Sequence, residues 1–291
     1  VRDSGTVRGM ALDLSIVGKP TPPAAFTYTW RDTVLYALGI GARRDELDYL
    51  YEGRGPKVYP SFAVVPMFGP MFDVIAKTGG DLSMIVHGGE KVLIKKPFAS
   101  AGTLHTSATA RGIYDLRRFA IVLIDTETKD DAGEVVCTST ANIVFRGAGG
   151  FGGAPPPKEP SGIDVPKDRP ADFRVEETTS PEQALLYRLS GDLNPLHADP
   201  DFARGVGFEQ GPILHGLATY GYMVRHVAKG ACGGDASKLT GFEAQFKRPV
   251  WPGDTLVTEG WKVGPGRVAL SMSVKERSEI VLSNAWATLS E

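Results

Sequence analysis

Asp192 and His197 stand five residues apart in the run Ser190-Gly191-Asp192-Leu193-Asn194-Pro195-Leu196-His197. A carboxylate and a neutral imidazole can hold one water between them and take its proton, which is the core of acid/base hydration chemistry. Gly191 frees the backbone before Asp192, and Pro195 disfavours helix at Asn194. Asn194-Pro195 and Asp199-Pro200 each read as an N-cap followed by a first helical position. The two side chains are therefore expected on a short, pinned loop. Ordinary turn chemistry accounts for Asp and Asn near Pro as well, and a lone His197 also suits a packed loop histidine. A second segment, Gly211-Pro212-Ile213-Leu214-His215-Gly216-Leu217, supplies another histidine and favours chemistry. His197, Asp199 and His215 lack an established ligand spacing, so no metal is expected. Ser190 lacks the Gly-x-Ser-x-Gly elbow of a serine hydrolase.

The elements that must carry this loop occur twice. Leu35-Tyr36-Ala37-Leu38-Gly39 is echoed by Leu186-Tyr187-Arg188-Leu189-Ser190, and Lys96-Pro97 with Gly102-Thr103-Leu104 by Arg248-Pro249 with Asp254-Thr255-Leu256, at a nearly constant offset of about 150 residues. The order and spacing indicate a tandem repeat packed as an internal pseudo-dimer. Residues 147–170, with Gly149-Gly150-Phe151-Gly152-Gly153 and Pro155-Pro156-Pro157, read as the connection between repeats spanning 1–146 and 171–291.

Each repeat opens with a helix. Asp32 leads Val34, Leu35 and Leu38 in the first, and Ser180-Pro181-Glu182-Gln183 leads Leu185, Leu186 and Leu189 in the second as a capping box. Residues 120–124, 135–145 and 267–274 read as strands. One long helix with a small-residue face is expected from about Leu214 to Lys229. Its counterpart around Met67 to Ala76 carries Gly69-Pro70 and is expected to be degraded or displaced. The pattern is that of an α+β chain, an antiparallel sheet wrapped around a central helix, twice over.

The 291 residues are enough for about two domains of ordinary size. A formal net charge of -2 leaves no basic excess for nucleic acid. Two cysteines, Cys137 and Cys232, are too few for a disulfide framework and fit a reducing compartment. No apolar run is long enough to span a bilayer, and no secretory leader or peroxisomal C-terminal address is visible. Met10 is a candidate natural start.

The run Tyr187 to His197 resembles the signature of the type 2 enoyl-CoA hydratases, the MaoC-like group. The likeness extends to Pro212 to Leu217, Pro249-Val250-Trp251-Pro252-Gly253, Tyr36 to Gly41, Tyr51-Glu52-Gly53 and His87-Gly88-Gly89-Glu90. It covers nearly the whole chain from Val17 onward. The resemblance implies a double hotdog fold whose second half hydrates trans-2-enoyl-CoA to (3R)-3-hydroxyacyl-CoA while the degenerate first half accommodates the acyl chain. It implies no metal or redox cofactor, CoA being part of the substrate, and a homodimer.

Carried over by position, Asp192 and His197 match the catalytic dyad. Glu52, Tyr36 and His215 match supporting positions, and His87, Gly88, Asn194, Gly216 and Phe246 match positions lining the substrate. On pattern alone Glu52 reads as a solvated turn residue, Tyr36 as core, and His105 and His226 as structural or surface residues. Leu116 stands where multifunctional members often carry a lysine, so that contact to CoA does not carry over. The segment between Phe62 and His87 is shorter and richer in Pro and Gly, so no chain-length preference carries over.

A free Gly216 N–H could stabilise the thioester oxygen, provided the long helix begins near Leu214 to Gly216. A hotdog thioesterase, a dehydratase acting on carrier-protein-bound acyl groups, and an acyl-CoA-binding scaffold subunit are the competing functions. Enoyl-CoA metabolism of this kind places the chain in the cytoplasm of a bacterium or the peroxisome of a eukaryote.

Overall fold

The alternation read between residues 120 and 145 runs further in both directions in the computed structural model, which describes residues 11–157 and 163–290. Met10, the middle of the Gly/Pro-rich connection and Glu291 lie outside the described residues. The first half supplies β1 (Ala24–Tyr28), β2 (Ile85–Ile94), β3 (Gly102–Asp115), β4 (Phe119–Asp130) and β5 (Val135–Arg146). The second supplies β6 (Phe173–Thr178), β7 (Leu239–Phe246), β8 (Thr255–Gly264), β9 (Arg267–Val274) and β10 (Glu279–Leu289). Together they form one antiparallel sheet in the order β1-β3-β4-β5-β2-β7-β10-β9-β8-β6. Read from either edge, each half runs first, third, fourth, fifth, second strand. This is the double hotdog implied by the resemblance, with the halves sharing one continuous sheet.

The seam is the pairing of β2 with β7, from Gly89 opposite Gln245 to Leu93 opposite Gly241. Six α-helices among the described residues complete the fold: α1 (Trp30–Gly39), α2 (Leu47–Leu50), α3 (Val64–Lys77), α4 (Gln183–Tyr187), α5 (Pro200–Gly205) and α6 (Gly216–Ala231). α1 starts at a capping box in which Thr29 N donates to Asp32 Oδ2 at 2.7 Å. The expected capping role of Gln183 gives way to another contact. Its amide nitrogen reaches across the seam to the carbonyls of Leu38 at 2.9 Å and Gly39 at 2.7 Å. α6 is buried from Leu217 to Ala228, and Gly221 lets Ile40 come so close that a Cβ would meet its Cγ2 at 2.3 Å.

Two expectations change. The segment thought degraded is a full helix, α3, despite Pro70 inside it. Pro70 removes one N–H, but Met67, Met71, Val74 and Ile75 bury their side chains on one face, and that burial outweighs the lost bond. The start of the interdomain connection is also pinned. Asp115 at the end of β3 accepts from the backbone N–H groups of Gly150 and Gly152, and Phe151 packs on the core.

The deepest polar contacts cross the seam. Arg225 on α6 is fully buried; its Nε donates to the Ile40 carbonyl at 3.0 Å, its Nη1 to Glu46 Oε1 at 2.8 Å, and its Nη2 to Glu177. His226, also fully buried, has Nδ1 2.8 Å from Thr258 Oγ1 and Nε2 3.6 Å from Glu177 Oε2. Burial alone would raise the Glu177 carboxyl, but His226 and the Arg225 guanidinium outweigh it and hold it down at about 2. Burial pushes His226 below its ordinary range.

Removing one member of such a network leaves the others charged and unpaired. Arg225→Ala is expected to cost about 3–5 kcal/mol in urea unfolding. Stability should also fall on acidification. Unfolding lets His226 take a proton near its ordinary value of 6.5, so stability declines below that pH, and Glu177 adds a further loss between 4.5 and about 2. Unfolding free energies that do not drop between about pH 7 and pH 5 would contradict the burial argument.

Candidate active site

The loop from Asp192 to His197 is held by its own side chains. Asp192 Oδ1 accepts from Asn194 N at 3.1 Å, and Asn194 Oδ1 from Leu196 N at 3.0 Å. A single turn of 3-10 helix, Pro195–His197, follows, and Asp199 then caps α5 through the N–H groups of Asp201 and Phe202. Both Asx-Pro pairs thus do what their spacing predicts.

His197 is 8% exposed, with Nδ1 2.8 Å from the Ile213 carbonyl oxygen. A carbonyl only accepts, so Nδ1 carries the proton and Nε2 is the available base. Burial pushes the imidazole below its ordinary range, against the upward pull of the Asp192 carboxylate. The ring is therefore neutral at physiological pH.

His215 precedes α6 and is 1% exposed. Its Nε2 lies 3.1 Å from the Asp192 carbonyl oxygen, and its ring stacks on His197 with centroids 3.7 Å apart. Burial, reinforced by His197, pushes its pKa down to about 2. It is a neutral strut that ties the backbone of Asp192 to the start of α6. Asp192, His197 and His215 each bring one oxygen or nitrogen within 4.8 Å of the others. The two rings spend one nitrogen each on backbone carbonyls, and Asp199, weighed with them in the sequence, is occupied as a helix cap instead.

α6 begins at Gly216, so the Gly216 N–H lies ahead of the helix's internal hydrogen-bond ladder at its positive end. The condition set for that N–H is met. A Cβ at Gly216 would stand 3.4 Å from the ring of Phe246, the last residue of β7. Phe246 in turn meets the His87 ring edge-on at 5.1 Å. A bulge in β2 between His87 and Gly89 places His87 and Glu90 on one side of the strand, with His87 Nε2 3.1 Å from Glu90 Oε2. Gly88 is at the bulge, where a Cβ would lie 3.1 Å from Val144 Cγ2.

Tyr36 is fully buried and touches the site through a relay: its ring lies 6.1 Å from Tyr187, whose ring lies 4.9 Å from His215. Asn194 is exposed and acts through its cap. Glu52 is not brought to this cluster. It lies on an exposed turn whose neighbours fasten to the far end of α6, Tyr49 Oη donating to the Gly234 carbonyl and Lys57 pairing with Asp235. Ser190 Oγ is buried without a partner, so it lacks the bond to a base that a serine nucleophile needs. His105 is a half-exposed partner of Asp131.

Three residues quoted in the sequence only as parts of longer runs, and not singled out, also touch the cluster or its neighbours. Glu90 holds His87, Tyr187 packs on His215, and Arg188 Nη2 donates to the Leu193 carbonyl at 3.3 Å inside the dyad loop. Glu90 is 1% exposed, and burial pushes its carboxyl up. A glutamate directly after the Gly88-Gly89 pair was the available signal for it.

Family models and known proteins match nearly the whole chain. Residues 26–147 match the MFE-2 hydratase 2 N-terminal domain and residues 164–285 the MaoC like domain. The chain is 36% identical over 285 residues to the peroxisomal enoyl-CoA hydratase 2 of Arabidopsis thaliana, covering 90% of each. It is 38% identical over 272 residues to 3-hydroxyacyl-thioester dehydratase Y of Mycobacterium tuberculosis, covering 91% of this chain and 92% of that protein. A crystal structure of a MaoC-like dehydratase from Phytophthora capsici superimposes with a TM-score of 0.85 at 32% identity, over 96% of this chain and 98% of that one. The chain therefore belongs to the MaoC-like enoyl-CoA hydratase 2 family of hydro-lyases.

Proposed function

We propose that the chain adds water to trans-2-enoyl-CoA to give (3R)-3-hydroxyacyl-CoA, and catalyses the reverse dehydration, with Asp192 and His197 as the acid/base pair. The observation that carries this reading is the fixed tautomer of His197: the Ile213 carbonyl takes Nδ1–H and leaves Nε2 unprotonated, on a ring with one nitrogen within 4.8 Å of an Asp192 carboxylate oxygen. His197 Nε2 takes a proton from a water oriented by Asp192, and the water oxygen forms a bond to C3 of the enoyl group. The C2=C3 electrons move toward the thioester oxygen, whose developing charge faces the Gly216 N–H at the start of α6. The electrons return as C2 takes a proton from the pair, so one water is gained and no redox change occurs.

Residues 171–291 carry this chemistry on the proposed reading, and residues 1–146 accommodate the acyl chain. His87 and Phe246 form the wall between them. A pseudo-dimer of this kind completes one site, and two chains assemble as a homodimer.

Asp192→Asn and His197→Gln should each lower crotonyl-CoA turnover by at least about a hundredfold without unfolding the protein. Near-normal turnover in both would remove the dyad from the mechanism. Because the His197 imidazole lies below its ordinary 6.5, kcat/KM should hold as pH falls through that value and decline only at lower pH. An acid limb above 6.5 would contradict a buried, neutral base.

A further inference from the structure

The pseudo-two-fold axis through the β2–β7 seam gives the candidate active site a twin at the other end of the seam. A cavity of about 170 Å³ lies there, and four of its lining residues, Ile94, Leu239, Pro60 and Phe98, stand at positions equivalent to Phe246, His87, Pro212 and Val250. Ile94 ends β2 as Phe246 ends β7. Pro60 stands ahead of α3 as Pro212 stands ahead of α6, and Leu239 at the start of β7 takes the place of His87 near the start of β2. Phe98, after Lys96-Pro97, repeats Val250 after Arg248-Pro249.

What the twin lacks is chemistry. Ala63 precedes α3 where His215 precedes α6, and Val64 replaces Gly216 at the first helical position. The segment after α1 offers Glu46, whose carboxylate is taken by Arg225, Lys229 and the Tyr59 hydroxyl, the last at 2.6 Å. The apolar walls survive without a base or a glycine N–H. Lys57 borders the cavity beside exposed Ser237, its ammonium paired with Asp235 at 3.4 Å and Asp48 at 4.0 Å.

We propose that this cavity binds the acyl end of a short-chain acyl-CoA thioester without turning it over, a second ligand site distinct from the dyad. The apolar walls take the acyl group, and their equivalence to the positions beside Gly216 and His87 points to the same class of thioester. This inference rests on the hydratase reading of the first site.

Butanoyl-CoA has neither the double bond nor the 3-hydroxyl that the dyad acts on, so it reports binding alone in isothermal titration. The wild-type chain should take two equivalents. Ile94→Trp, which fills the cavity, and Ser237→Phe, which narrows its mouth, should each take one while crotonyl-CoA turnover stays close to wild type. A wild type that takes one equivalent, or two variants that both keep two, overturns the second site. If it takes one and the Asp192 and His197 variants still lose turnover, the second site alone fails. Two equivalents, one lost in Ile94→Trp, with no hydration at all, would sustain the second site and sink the hydratase reading instead.

Discussion

The pairing of β2 with β7 is the constraint on which the rest of this molecule depends. It converts two five-stranded halves into one sheet and sets which ends of the two halves meet. At one end it brings His87 of the first half against Phe246 of the second, and so against Gly216 and the dyad loop. At the other it closes Ile94 and Leu239 around a cavity with no catalytic groups. Hydrogen bonds in a ladder tolerate no sliding by one residue without reversing which side chains face inward. The site therefore inherits its geometry from the register of the seam.

Away from that strand seam, the two halves also meet in a network of buried charge. Arg225, His226, Glu46 and Glu177 come from both halves and meet on the core side of α6. Gln183 adds two bonds to the carbonyls at the end of α1. Such a network adds little net stability over an apolar equivalent, yet it is costly to break. Its position distinguishes the halves: Glu46 follows α1 where the second half runs the Asp192–His197 loop after α4, and there it is committed to holding the halves together.

Much of this was legible in the sequence because it is local or repeated. The caps at Asn194 and Asp199 follow from adjacent residues, and the repeat announced the pseudo-dimer through Tyr36 and Tyr187. What stayed hidden depends on contacts between distant parts of the chain. α3 looked broken because Gly69-Pro70 dominates local propensity, whereas burial of Met67 and Met71 decides the outcome. Arg225 and Glu177 carry no motif, and their pairing exists only after the halves assemble. Glu90 reaches His87 because of one extra residue in β2, a shift that strand alternation cannot reveal.

The central claim is that a neutral His197 and Asp192, in one half only, add water to an enoyl thioester on a defined face. The most direct measurement is chiral analysis of the product of crotonyl-CoA hydration, with a thiol reagent present to detect free CoA. The account predicts (3R)-3-hydroxybutanoyl-CoA and no thiol release. A (3S) product, or release of CoA without hydration, would contradict it.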